Sequence, residues 1–181
     1  MACYGPRPLN LYSAMKRFII FFSFLSVLSG CTFEDVEVDK IRPGDSIPAF
    51  EVVMNDGTVI NDSSLSGSVS MIMFFYTLCP DCQKTLPSVQ RIYDEYVSKG
   101  VKIVLISREE GEETISSYWK ENSFNMPYSA QNDKVVYNKF ASTRIPRIYI
   151  SDEKRTVRYI FTDDPIPSYD DLKSSIESLI R

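Results

Sequence analysis

Phe74-Phe75-Tyr76-Thr77-Leu78-Cys79-Pro80-Asp81-Cys82 is the stretch on which the reading of this chain turns. The residues leading into it, 69–76, are apolar and β-prone almost throughout, as expected of a central strand buried on both faces. Two cysteines separated by two residues follow, and a helical pattern starts directly after them. A thiol at such a junction meets the unpaired N–H groups and the positive end of the helix macrodipole, and both favour the thiolate. The second cysteine lies one turn further on, close enough to close a small disulfide ring. A ring of that size removes little chain entropy and stabilises weakly by that route. The placement therefore points to chemistry at Cys79 and Cys82 rather than to stapling.

Working outward, residues 79–99 predict a helix, with Leu86, Val89, Ile92, Tyr93, Tyr96 and Val97 at helical spacing and Gly100 as its stop. Pro87 lies inside it and is expected to kink it. Residues 101–106 predict a second buried strand, and 112–122 a helix with Ile115, Tyr118 and Trp119 on one side, Trp119 in the core. A short strand at 128–130 and a short helix at 133–141 come next. Ile145-Pro146 leads into strand 147–151, and Asp152-Glu153-Lys154 turns the chain into strand 156–161 as an antiparallel hairpin. A closing amphipathic helix covers 170–180, with Leu172, Ile176, Leu179 and Ile180 facing the core. On the N-terminal side, strand character at 49–54 and the turn Asn55-Asp56-Gly57-Thr58 predict a hairpin into Val59-Ile60. The order describes an α/β domain over residues 45–181, a mixed central β-sheet with helices on both faces and an N-terminal β-hairpin extension.

The N-terminus carries the marks of targeting. Lys16-Arg17 is a positive segment, and the apolar run 18–28 is too short to span a bilayer as a helix. It ends in Leu28-Ser29-Gly30-Cys31, which resembles the bacterial lipobox, with Cys31 as the residue to be lipidated. Met15 stands directly before the Lys-Arg pair and is the expected true start, so Cys3 falls away. Residues 1–31 are thus read as a signal peptide and 32–44 as a flexible tether. Only Cys79 and Cys82 remain in the mature domain, in a compartment where disulfides persist.

Composition narrows the chemistry. The 181 residues hold no histidine, which excludes Ser-His-Asp and Cys-His catalysis and removes the commonest zinc, copper and haem ligand. A net charge of −4 argues against nucleic acid as a partner. No metal or organic cofactor is expected.

These residues resemble the thioredoxin superfamily, and within it the TlpA/ResA-like extracytoplasmic thiol-disulfide oxidoreductases. The resemblance runs from about Asp45 to the C-terminus. It rests on Cys79-Pro80-Asp81-Cys82 after the Phe74-Phe75 strand, on Pro87, and on Ile145-Pro146 before the last hairpin. It implies a thioredoxin-like fold in which Cys79 attacks a substrate disulfide and Cys82 resolves the mixed disulfide. It further implies a cis Pro146 facing the dithiol, with Pro80, Asp81, Ile145 and Pro146 forming the substrate groove. The implied partners are disulfide-containing clients, such as apocytochrome precursors, other envelope redox proteins or misoxidised secreted proteins, and a membrane-linked or soluble thiol donor. A monomer is expected, held to the membrane by its lipid and facing the periplasm or cell surface; Thr32 after the lipid cysteine favours the outer membrane.

Several positions depart from the family. Leu78 stands where Trp usually precedes the first cysteine. Met73 and Thr85 occupy the two places where relatives keep a carboxylate near the buried thiol. Asp81 is then the acidic group expected at the site. Either its charge opposes a second one on Cys79 and pushes the couple toward reducing character, or it is an ordinary solvated acid of the first helical turn. Arg147 works in the opposite sense if it reaches the dithiol, and is otherwise a surface residue. Two other functions compete with a reductase: an envelope binding module of thioredoxin fold with a structural disulfide, and a peroxiredoxin-like peroxidase. The latter needs a Thr-x-x-Cys pocket, whereas Thr77 is only two residues before Cys79.

Overall fold

The structure, a computed structural model, describes residues 40–180. The expected leader, Cys31 and the tether as far as residue 39 lie outside the described residues.

Hairpin strands β1 (Glu51–Val53) and β2 (Val59–Asn61) pair antiparallel around the expected turn, where Gly57 takes the positive φ of 85° that the turn demands. The main sheet holds β3 (Ser70–Phe75), β4 (Lys102–Ser107), β5 (Tyr128–Ser129), β6 (Arg147–Ser151) and β7 (Val157–Phe161) in the order β5-β4-β3-β6-β7. The β3–β4 and β4–β5 pairs are parallel, and β3–β6 and β6–β7 antiparallel, so the sheet is mixed. Every residue of β3 is buried, which explains its lack of polar alternation.

The helices are α1 (Pro80–Tyr96), α2 (Glu112–Asn122) and α3 (Tyr169–Glu177). Proline at the first helical position suits α1, because the N–H it lacks would be unpaired there. The helix runs on through Pro87 and tightens into a 3-10 turn at Val97–Lys99, closed by Gly100 at φ 86°. Leu86, Val89 and Ile92 of α1, Ile115 and Trp119 of α2, and Leu172 and Ile176 of α3 pack on one sheet face against Met71, Met73, Phe75, Ile148 and Ile150. Trp119 is in this core as expected, its ring 5.0 Å from Phe75 and its Nε1–H donating to Met126 O at 2.9 Å.

The other face differs from expectation in its cover. Residues 133–141 form only a 3-10 turn at Tyr137–Lys139 instead of an α-helix. Asp133 Oδ1 takes the Val135 N–H at 2.8 Å, and such a local side-chain bond competes with helix start. This turn and the hairpin together close the face, placing Phe50, Val52, Val136, Tyr137 and Phe140 over Ile72, Phe74, Val104, Ile106 and Tyr149. Ile41, within the expected tether, is buried in the same cluster, and Gly44 N–H donates to Val157 O at 2.8 Å. Packed structure thus begins before residue 45.

Candidate functional site

The chain leaves β3, and Cys79 N–H closes a turn onto Tyr76 O at 3.0 Å. Cys79 is the N-cap residue of α1, and its Sγ accepts the Cys82 N–H at 3.4 Å. Both cysteines are thiols, Cys79 half-buried and Cys82 buried. Cys79 Sγ–H donates to Ile145 O at 3.5 Å, so the proline loop does face the dithiol. The Ile145–Pro146 bond is cis. Pro146 itself is buried, and Ile145 is the part of the loop offered beside Cys79. That loop is held by Tyr137 Oη donating to Arg144 O at 2.7 Å and by Arg144 Nη1 lying 3.5 Å from Asp163 Oδ1.

Burial pushes the Cys82 thiol well above its ordinary pKa, and its hydrogen bond with Cys79 pushes the same way, while the Arg108 charge works in the opposite direction. The two sulfurs are therefore unlike: one half-exposed and accepting the Cys82 N–H, the other dry and pushed toward its protonated form. Around them, Pro80 and Leu78 are exposed, Leu78 to 69%. A leucine beside Cys79 gives the site an apolar rim.

Asp81 is at the surface of the first turn, its carboxylate 2.9 Å from Lys84 Nζ. Of its two sequence readings the solvated first-turn acid fits. Arg147 matches neither of its readings. It is fully buried, and strand alternation turns it with Tyr149 toward the face opposite the dithiol, where its charge acts on the Tyr149 hydroxyl. Pairing of Phe74 with Arg147 and Met73 with Ile148 sets that alternation.

Asp81 is not the acid with most contact to the site. Glu110, 6% exposed in the loop after β4, accepts the Thr77 N–H at 2.9 Å on Oε2 and the Thr77 hydroxyl on Oε1. Thr77 O in turn accepts Gln83 Nε2 at 2.7 Å. Sequence inspection passes over Glu110 because Arg108-Glu109-Glu110-Gly111-Glu112-Glu113 reads as a solvated charge run. The available signal was its place just past the end of β4, which lies parallel to the strand that leads into the cysteines. Among the described residues no group of three or more His, Cys, Asp or Glu is arranged to hold a metal ion.

A mixed sheet of order β5-β4-β3-β6-β7, with a Cys-x-x-Cys at the β3–α1 junction facing a cis-proline loop, is a thioredoxin-like fold. Solved structures agree. A candidate protein disulfide isomerase from Bacteroides thetaiotaomicron superposes with a TM-score of 0.74 at 21% identity, covering 79% of this chain and 92% of that one. A thioredoxin-family thiol:disulfide interchange protein from Chlorobium tepidum gives 0.66 at 23% identity, covering 77% and 98%. The chain belongs to the AhpC/TSA family, whose model matches residues 43–160, as a TlpA/ResA-like member of the thioredoxin superfamily. Among curated proteins it is 24% identical to the thiol-disulfide oxidoreductase ResA of Bacillus cereus over 64% of this chain and 66% of the relative, just under two thirds of that protein's length. It is also 24% identical to ResA of Halalkalibacterium halodurans, over 81% of this chain and 87% of the relative.

Proposed function

We propose that the chain is a thiol-disulfide oxidoreductase of the cell envelope, working as a reductase of disulfide-containing client proteins. The observation that carries the reading is the half-exposed Cys79 thiol at the N-cap of α1, facing Ile145 O, with buried Cys82 one turn behind it. The thiol-disulfide oxidoreductase activity of its ResA relatives supports it.

In the forward step the Cys79 thiolate attacks one sulfur of the client disulfide. A Cys79–client bond forms, the client S–S bond breaks, and the second client sulfur leaves as a thiolate and takes a proton. Cys82 then loses its proton and attacks Cys79 Sγ, which forms the Cys79–Cys82 disulfide and releases the client's first sulfur. The client gains two electrons and the dithiol loses two; a donor dithiol of the envelope restores them by the reverse exchange. The Cys82 N–H and the helix N-terminus face the attacking sulfur, and burial keeps Cys82 protonated until the mixed disulfide has formed. Extended client backbone lies along Ile145, with Leu78 and Pro80 at the rim. The lipobox-like Leu28-Ser29-Gly30-Cys31 supports a lipid anchor at Cys31 on the outer membrane, which would keep the domain on the oxidising side.

A peroxidase role is disfavoured by Thr77, whose hydroxyl is given to Glu110 rather than left for a peroxide. The test is trapping. Cys82→Ser in the full chain is expected to accumulate mixed disulfides through Cys79, and Cys79→Ser to form none and to lose reduction of protein disulfides. Catalysis retained by Cys79→Ser, or a wild-type dithiol that does not equilibrate with glutathione, would sink the enzyme and leave the binding module. Fatty-acid labelling that survives Cys31→Ser would remove the anchor.

A further inference from the structure

The geometry points to Glu110 as the positioning residue of this dithiol, a buried anion that clamps the turn carrying Cys79 and biases the couple toward reducing character. The inference rests on the exchange reading above and concerns a residue outside both the Cys-x-x-Cys stretch and the proline loop.

Three observations carry it. First, burying a carboxylate is costly unless its oxygens are satisfied, and here both are, by one residue: Thr77 N–H at 2.9 Å and the Thr77 hydroxyl. A two-point grip on a single residue fixes its orientation as well as its position. Second, Thr77 is the base of the catalytic turn. It lies two residues before Cys79, next to Tyr76, whose carbonyl accepts the Cys79 N–H, and its own carbonyl accepts Gln83 Nε2 from the first turn of α1. Third, the grip has a rigid foundation. Ser107 Oγ donates to Glu110 O at 2.9 Å, Gln131 N–H donates to the same carbonyl at 3.2 Å, and Glu110 forms a bridge with Gln131. The clamp thus runs from the β4 and β5 ends of the sheet to the nucleophile's turn.

The charge has a sign as well as a place. Of the other acids nearby, Glu109 faces Arg108 at 2.5 Å and Lys134 at 3.2 Å, and Asp81 faces Lys84 at 2.9 Å. Glu110 instead spends both oxygens on neutral donors, so its charge is left less compensated in a dry setting where fields reach further. An anion there disfavours a second anion at the sulfur. It raises the free energy of the reduced, thiolate-bearing state relative to the disulfide, which makes the dithiol a better electron donor. This supplies from the loop after β4 the carboxylate that Met73 and Thr85 do not.

The glutamine variant separates charge from grip. Glu110→Gln keeps both contacts, because its Oε1 accepts the Thr77 N–H and its Nε2 donates to a hydroxyl that turns to accept. In the full chain equilibrated with glutathione, Glu110→Gln is expected to shift the equilibrium several-fold toward the dithiol with little change in thermal midpoint. Thr77→Val keeps the charge and removes one arm of the grip. It is expected to leave the equilibrium within about twofold of wild type while amide exchange at residues 77–79 speeds up. A Glu110→Gln equilibrium that matches wild type, or moves toward the disulfide, overturns the charge bias. Unchanged exchange in Thr77→Val overturns the clamp, and that test stands even if Glu110→Gln fails to fold. A wild-type dithiol inert to glutathione would instead refute the exchange reading itself.

Discussion

The two ends of α1 are built for opposite purposes. At the N-terminal end the cap is the Cys79 sulfur, the next residue is an exposed proline, and the first-turn acid pairs with Lys84 at the surface. At the C-terminal end the helix is tied down. Tyr96 Oη donates to Glu177 Oε1 of α3 at 2.7 Å, and Glu95 accepts the Tyr169 hydroxyl and faces Lys173 Nζ at 3.3 Å and Lys99 Nζ at 3.4 Å. The Arg91 guanidinium lies 3.7 Å from the centre of the Tyr169 ring. One end presents a half-exposed sulfur, while the other fixes its polar groups within the fold.

That division can be broken by experiment. The largest effect is expected from Ile92→Ala, in the fully buried part of α1 toward its anchored end, which should lower unfolding free energy by about 2–5 kcal/mol. Its glutathione equilibrium should stay near wild type; an equally large redox shift would mean that the two ends are not separate.

A smaller effect is set by pH. The Tyr169 hydrogen bond, with help from Lys173 and Lys99, holds Glu95 down from the ordinary 4.5 to about 2. Since the folded value is the lower one, the contribution is complete above about 4.5 and is lost as pH falls toward about 2. Denaturant midpoints of wild type should therefore fall across that window more steeply than those of Glu95→Gln. Parallel curves would remove the electrostatic part of the anchor.

The smallest effect belongs to Asp81→Asn. Because Asp81 is solvated and paired with Lys84, its glutathione equilibrium should move less than that of Glu110→Gln. A larger shift from Asp81 would return the tuning role to the Cys-x-x-Cys stretch.

Periodicity was enough to locate α2 and β6, whose boundaries at 112–122 and 147–151 match the structure. Both are governed by local pattern, and β6 is announced by the proline before it. The dithiol and its facing loop were legible for the same reason, since each is punctuated by cysteine or proline. What stayed hidden depends on partners distant in sequence. Glu110 is 33 residues from Thr77, and only the parallel pairing of β3 with β4 brings the two together. Arg147 reads as either a cation at the dithiol or a surface residue until the β3–β6 register shows which face receives it. Residues 133–141 had a helical pattern, but Asp133 spends its side chain on a local turn.

One atom of this protein belongs to two ledgers. Cys79 Sγ is both the acceptor that caps α1 and the proposed nucleophile. When it is a thiolate, the cap is at its strongest; once it is bonded to another sulfur, the same amide of Cys82 faces a much poorer acceptor. The order of the helix's opening turn is thereby tied to the bonding state of a single sulfur.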